Sequence, residues 1–125
     1  MISKYFKNVE SILEENNHII EDYIVNKQTF THEKGAIEGE VFFIDNSQLD
    51  FNEVVNSNMN SKTKYSYHYM DSNKALIFRY DNVPHHRAIP SFPHHKHTPL
   101  RIVESKEPNL ETVLSEIEQK LINNI

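Results

Sequence analysis

Six of the eight histidines fall between Tyr65 and His97, in the stretch YSYHYMDSNKALIFRYDNVPHHRAIPSFPHHKH. Imidazole changes charge near neutral pH, so it can give a proton, take one, or hold a metal. His85-His86 and His94-His95 are adjacent pairs, and neighbours on an extended chain point to opposite sides. One pair therefore gives one ligand or one acid–base group to a given side, and His95 and His97 share a side only if that piece is extended. The zinc spacing HExxH is absent, and with no cysteine in the chain thiolate sites are excluded. A site of His68, one member of each pair and Asp81 would suit zinc, nickel or copper.

RNA cleavage without a metal is the other chemistry these residue types serve. It needs a base for the 2′-hydroxyl, an acid for the leaving 5′-oxygen and a cation for the phosphorane. Histidine can fill the first two roles, and arginine grips phosphate oxygens in a forked geometry. On this reading His68 and a loop histidine among His85, His86, His94 and His95 form the acid–base pair. Arg79 is the phosphate clamp, assisted by Arg87 or Lys96, and Tyr67 could stack a base, although core packing is the stronger reading of the tyrosines. Asp81, Asn82 and His97 are expected substrate contacts. Nucleophile motifs such as GxSxG and glycine-rich phosphate loops are missing.

The elements that must carry these groups follow from periodicity. A helix is expected from a cap at Ser3 to about Asn16, with Tyr5, Phe6, Val9, Ile12 and Leu13 on one stripe. Extended segments follow over Ile19–Thr31, Ile37–Ile44 and Gln48–Val55, with turns at Glu33-Lys34-Gly35 and Asp45-Asn46-Ser47. Gly39 marks a bulge or a close backbone approach. Glu38 and Glu40 share a strand face and read as solvated edge carboxylates. Thr63–Met70 and Lys74–Asp81 read as a hairpin: a two-residue turn at Ser72-Asn73 would set His68 opposite Ile77 and diagonal to Arg79, a four-residue loop keeps the same parity, and a three-residue loop with a bulge would change it. Alternation then puts Tyr65, Tyr67, Tyr69, Leu76, Phe78 and Tyr80 on a core face, and Ser66, His68, Met70, Ala75, Ile77, Arg79 and Asp81 on the other.

Prolines 84, 90, 93 and 99 exclude helix and central strand from Asn82–Pro99. That segment is expected to fold over the sheet as a stiffened loop anchored by Ile89 and Phe92. Leu100–Val103 would close the sheet. Asn109 caps a last helix with Leu110, Val113, Leu114, Ile117 and Leu121 as its stripe. The expected fold is one α+β domain over residues 1–125: a helix, an antiparallel sheet of about five strands, and a C-terminal helix.

Net charge is −5, which disfavours generic binding to a long duplex. Yet Arg79–Arg101 holds four cationic residues and only Asp81 as an anion, a local patch suited to an anionic ligand or acidic partner. No signal peptide or membrane span is evident, so a cytoplasmic location is expected.

The segments YSYHYMDSN, LIFRYDNVPHHRAIPSFPHHKH and, at Gly39–Phe51, GEVFFIDNSQLDF resemble the signature of the TumE family of toxin components from toxin–antitoxin pairs. The resemblance implies a small toxin with a protein antitoxin as partner. It places the family's matching positions at His68, Arg79, Asp81, Asn82, His85, His86, His94, His95 and His97. This chain differs from the family pattern at Val83, at Arg87, and at Asn46, where glycine is usual. By analogy with other small α+β toxins, an endoribonuclease with RNA as substrate and no cofactor is expected, and a homodimer is allowed. The alternative is a binding module whose histidine loop engages an antitoxin, a nucleotide or a divalent metal such as zinc or nickel.

Overall fold

A computed structural model describes residues 1–84 and 87–124; His85 and His86 lie outside the described residues. The chain begins with α1 (Ile2–Glu15), continues through seven strands and ends in α2 (Leu110–Asn123). The strands are β1 (Ile20–Thr29), β2 (Lys34–Phe43), β3 (Gln48–Asn56), β4 (Lys64–Met70), β5 (Leu76–Asp81), β6 (His95–His97) and β7 (Ile102–Glu104). They form a single antiparallel meander in which each strand pairs with the next in sequence.

The expected count of about five strands is thus corrected to seven. The unforeseen element is β6, inside the proline-rich segment. Pro93 and Pro99 flank it, but none of its three residues is a proline, so each can join the ladder. β7 sits slightly later than the closing strand expected at Leu100–Val103.

Both helices pack on one sheet face. Helix α1 buries Ile2, Phe6, Val9 and Leu13, a stripe recurring every three to four residues. It starts one residue before the expected cap, so Ser3 lies within the helix and no side chain caps it. The Ile2 amide instead donates to the His32 carbonyl at 2.9 Å. The terminal ammonium, unfavourable at a helix N-terminus, sits 3.3 Å from the Glu33 carboxylate.

Helix α2 buries the five expected residues, and Asn109 makes a reciprocal capping box with Thr112. Asn109→Ala should lower stability by about 1 kcal/mol, read as an earlier midpoint in urea with an unchanged slope; an unmoved midpoint would deny the cap its role.

The sheet's core face carries Val41, Phe43, Leu49, Phe51, Tyr65, Tyr67, Tyr69 and Phe78, each at most 2% exposed. Gly39 lies opposite Phe51, and a Cβ there would meet the Phe51 ring at 2.4 Å. It marks the close approach and not a bulge. Asn46 takes φ 70°, the left-handed conformation that favours glycine and that asparagine tolerates. The turn expected at Glu33-Lys34-Gly35 falls earlier: the Phe30 and Thr31 amides donate to the Lys34 carbonyl.

The β4–β5 hairpin turns through Asp71–Ala75. Asp71 Oδ1 accepts from the Asn73 and Ala75 amides, and the positive φ of 63° falls on Lys74 and not on Asn73. A register shift between Tyr69 and Met70 accompanies this longer turn. The two irregularities cancel in parity but not in register. His68 lies directly opposite Arg79, two residues along from the expected partner Ile77.

Candidate functional site

Alternation and register together fix what the helix-free face presents. One row crosses all seven strands as Ile24, Glu40, Asp50, His68, Arg79, His97 and Ile102. Beside it run Asn26, Glu38, Asn52, Ser66, Asp81, His95 and Glu104. Because β6 is extended, His95 and His97 do share a side, and it is the side of His68 and Arg79. Neighbouring members of a row are separated by one strand spacing, about 4.8 Å.

Asp81 is the hub of the β5–β6 end. It is 2% exposed. Its Oδ1 meets His95 Nε2 at 2.8 Å and accepts from the Val83 amide at 3.1 Å. Its Oδ2 accepts from Arg79 Nε at 2.9 Å and faces His97 Nε2 at 3.4 Å. His95 is itself buried, with Nδ1 at 3.0 Å from the Pro93 carbonyl. Each ring nitrogen of His95 therefore faces an oxygen acceptor. A buried carboxylate is retained only when such donors replace water, so the cluster fixes the plane of the Arg79 guanidinium.

Arg79 in turn directs Nη1 at His68 Nδ1, 3.5 Å away. Arginine has no acceptor, so that nitrogen presents its lone pair. Burial first, then the Arg79 charge, hold the His68 imidazole below its usual range, with Asp50 acting in opposition. His68 is thus biased towards the neutral form.

A cleft of about 340 Å³ opens beside this pair, lined on β1–β5 by Ile24, Asn26, Glu38, Glu40, Asp50, Asn52, Ser66, His68 and Arg79, with Gly39 and Phe51 at its floor. The expected covering loop is corrected here. No described residue of Asn82–Pro99 lines the cleft, because β6 joins the sheet edge-on and its odd-numbered residues are part of the face.

Other expected site residues lie elsewhere. His94 stacks on Tyr65 at the helix side, with Nδ1 at 2.9 Å from the Tyr65 hydroxyl. Lys96 also points to the helix side and pairs with Glu116 of α2 at 2.9 Å. Tyr67 has no exposed surface, and its hydroxyl donates to buried Glu53; it is a core residue and cannot stack a base. Asn82 pins the start of β4, accepting from the Tyr65 amide at 3.0 Å and donating to the Thr63 carbonyl at 3.2 Å. Arg87 is exposed over the Phe92 ring, and Phe92, expected as an anchor, is 38% exposed.

Glu38, Glu40, Asp50 and Asn52 are cleft residues that alternation alone does not single out, and the edge position expected for Glu38 and Glu40 is corrected. Strand β2 lies between β1 and β3, so those carboxylates face the cleft from the interior of the sheet. Glu53, which accepts from the hydroxyls of Tyr5 and Tyr67, follows the inward alternation of Leu49 and Phe51.

A family model described as Toxin TumE matches residues 9–121. The chain belongs to the TumE toxin family. The match runs from α1 through the sheet into α2, far beyond the stretch whose motifs carry the resemblance. As a TumE-family chain it is a toxin of a toxin–antitoxin system, with an antitoxin as its implied partner. No curated protein and no solved structure matches it. Among the described residues, no helix is long and apolar enough to cross a membrane.

Proposed function

We propose that this TumE-family toxin is an endoribonuclease that cleaves RNA without a metal ion, using His68, Arg79 and His97 on the helix-free face. The observation that carries the reading is the cross-strand row in which a guanidinium stands between two imidazoles. A phosphate held by Arg79 would lie within reach of both rings, one on each side. As Arg79 turns its Nη1 proton from His68 to the phosphate, the freed His68 Nδ1 takes the proton of the 2′-hydroxyl, whose oxygen attacks phosphorus. The bond from phosphorus to the 5′-oxygen breaks, and His97 delivers a proton to that oxygen. Arg79 neutralises the charge on the non-bridging oxygens as it builds. Asp81 and His95 are positioning residues: they touch no substrate and hold Arg79 and His97 in line.

The electrostatics agree with these roles. A base must be neutral to accept a proton, and His68 is displaced towards the neutral form. The purified full chain should cut single-stranded RNA in excess chelator, and His68→Ala and Arg79→Ala should be folded and at least about 100-fold slower, as expected when an acid–base group or a preorganised charge donor is lost. Intact RNA under all conditions would refute the proposal.

One observation favours a second reading. Ligand atoms of Asp81, His95 and His97 lie within 4.8 Å of one another. The contact between His95 Nδ1 and the Pro93 carbonyl is the kind that orients a metal-ligating histidine from outside. Stoichiometric zinc or nickel in untagged protein, with activity lost in chelator, would favour that reading over the first.

A further inference from the structure

We infer that the β1–β3 end of the cleft is a base-reading pocket that selects guanine, adjacent to the phosphate position at Arg79. The inference rests on the nucleotide-binding reading of this site given above.

The cleft is divided by charge. His68 and Arg79 lie at one end, while Glu38, Glu40 and Asp50 lie at the other. Phosphate is repelled from the acidic end, so a bound nucleotide can enter in one orientation only, with phosphate at Arg79 and base towards β2. From Arg79 to Asp50 is two strand spacings, on the order of 10 Å, which is the scale of one nucleotide.

Most groups waiting there accept hydrogen bonds, the Asn26 amide on β1 being a donor among them, and Asp50 already accepts from Gln48 Nε2 at 2.7 Å. Ionised carboxylates accept only. Asn52 gives one of its two Nδ2 protons to Ser66 Oγ at 2.7 Å, and its carbonyl oxygen remains to accept. Glu38 sits directly opposite Asn52 in the register. This pair calls for an edge with adjacent donors. Guanine offers N1–H and N2–H₂ side by side on its pairing edge; adenine and cytosine offer one amino group next to an acceptor, and uracil one N–H between two acceptors. A base that turned an acceptor towards Glu38 would leave a carboxylate facing a lone pair, a repulsion softened by the exposure of Glu38 and so on the scale of one base contact. Ile24, 53% exposed at the mouth, gives the base an apolar wall.

The test is titration of the full chain with the four ribonucleoside 3′-monophosphates, followed by NMR or calorimetry, on wild type and Glu38→Gln. Guanosine 3′-monophosphate should bind about tenfold or more tighter than the other three, the scale of one paired base contact, and Glu38→Gln should erase that preference. Equal affinities, no binding, or a preference that survives Glu38→Gln would overturn the inference. RNA cleavage is scored separately. Selective binding without cleavage would retain the pocket and remove the nuclease, while cleavage without selectivity would do the reverse. Glu38 is exposed, so folding of the variant is not at stake.

Discussion

Asp81→Ala should be the most damaging single change on the helix-free face, silencing RNA cleavage and lowering stability together. The carboxylate, itself buried, accepts from Arg79 and the Val83 amide and faces the buried His95 and the half-buried His97. Removing the acceptor of a buried donor costs about 1–3 kcal/mol, because the donor stays out of water. His95, 2% exposed, would bear most of that penalty. Activity should fall further than stability explains, since the guanidinium loses the contact that fixes its plane. Arg79→Lys separates the two effects. Arg79 is more than a third exposed, so the fold should survive, while a single ammonium cannot span Asp81 and a phosphate as a fork does. Chemical denaturation and cleavage rates on both variants check this. An Arg79→Lys protein as active as wild type would remove the clamp from the account.

The second large effect concerns His68 and pH. Its imidazole is held below the ordinary range by burial and then by the Arg79 charge. Arg79→Met should therefore raise the His68 titration midpoint, and Asp50→Asn should lower it further, because the Asp50 carboxylate opposes the shift. Part of the depression should persist in Arg79→Met, since burial is the larger cause. NMR of the ring protons reads both changes. A midpoint indifferent to Arg79 would show that the two side chains do not sense each other. A stability consequence follows from linkage. Below about pH 6.5, the ordinary imidazole value, the unfolded chain takes up a proton that the folded one resists. The His68 contribution is thus present above that value and is lost as pH falls through the depressed folded midpoint. His68→Gln should flatten this part of the pH–stability curve.

How far these residues could be read from the sequence depended on which physical rule each one obeyed. Alternation alone put His68, Arg79 and Asp81 on one face and the tyrosines on the other, and the structure agrees. The α2 stripe and the Asn109 cap were also local signals, legible for the same reason. Register was not local. The turn at Asp71–Ala75 placed its positive φ on a lysine, which turn preferences do not anticipate, and the bulge that restored parity left no mark in the sequence. Prolines around His95–His97 suppressed the reading of a strand that needs only three ladder residues. Glu38 and Glu40 are solvated as expected, but their place inside the sheet is not legible locally, because strand order is a property of the whole sheet. Glu53 needed Tyr5, which is 48 residues distant, before its burial made sense.

The central claim is that a guanidinium flanked by two imidazoles on an open sheet face drives attack by a 2′-hydroxyl. The most direct measurement is the chemistry of the ends left on a defined single-stranded RNA cut by the full chain in excess chelator. The account predicts a 2′,3′-cyclic phosphate on one fragment and a free 5′-hydroxyl on the other, with both absent from Arg79→Ala digests. Fragments carrying a 5′-phosphate and a 3′-hydroxyl, or cleavage that appears only when a divalent metal is restored, would contradict it.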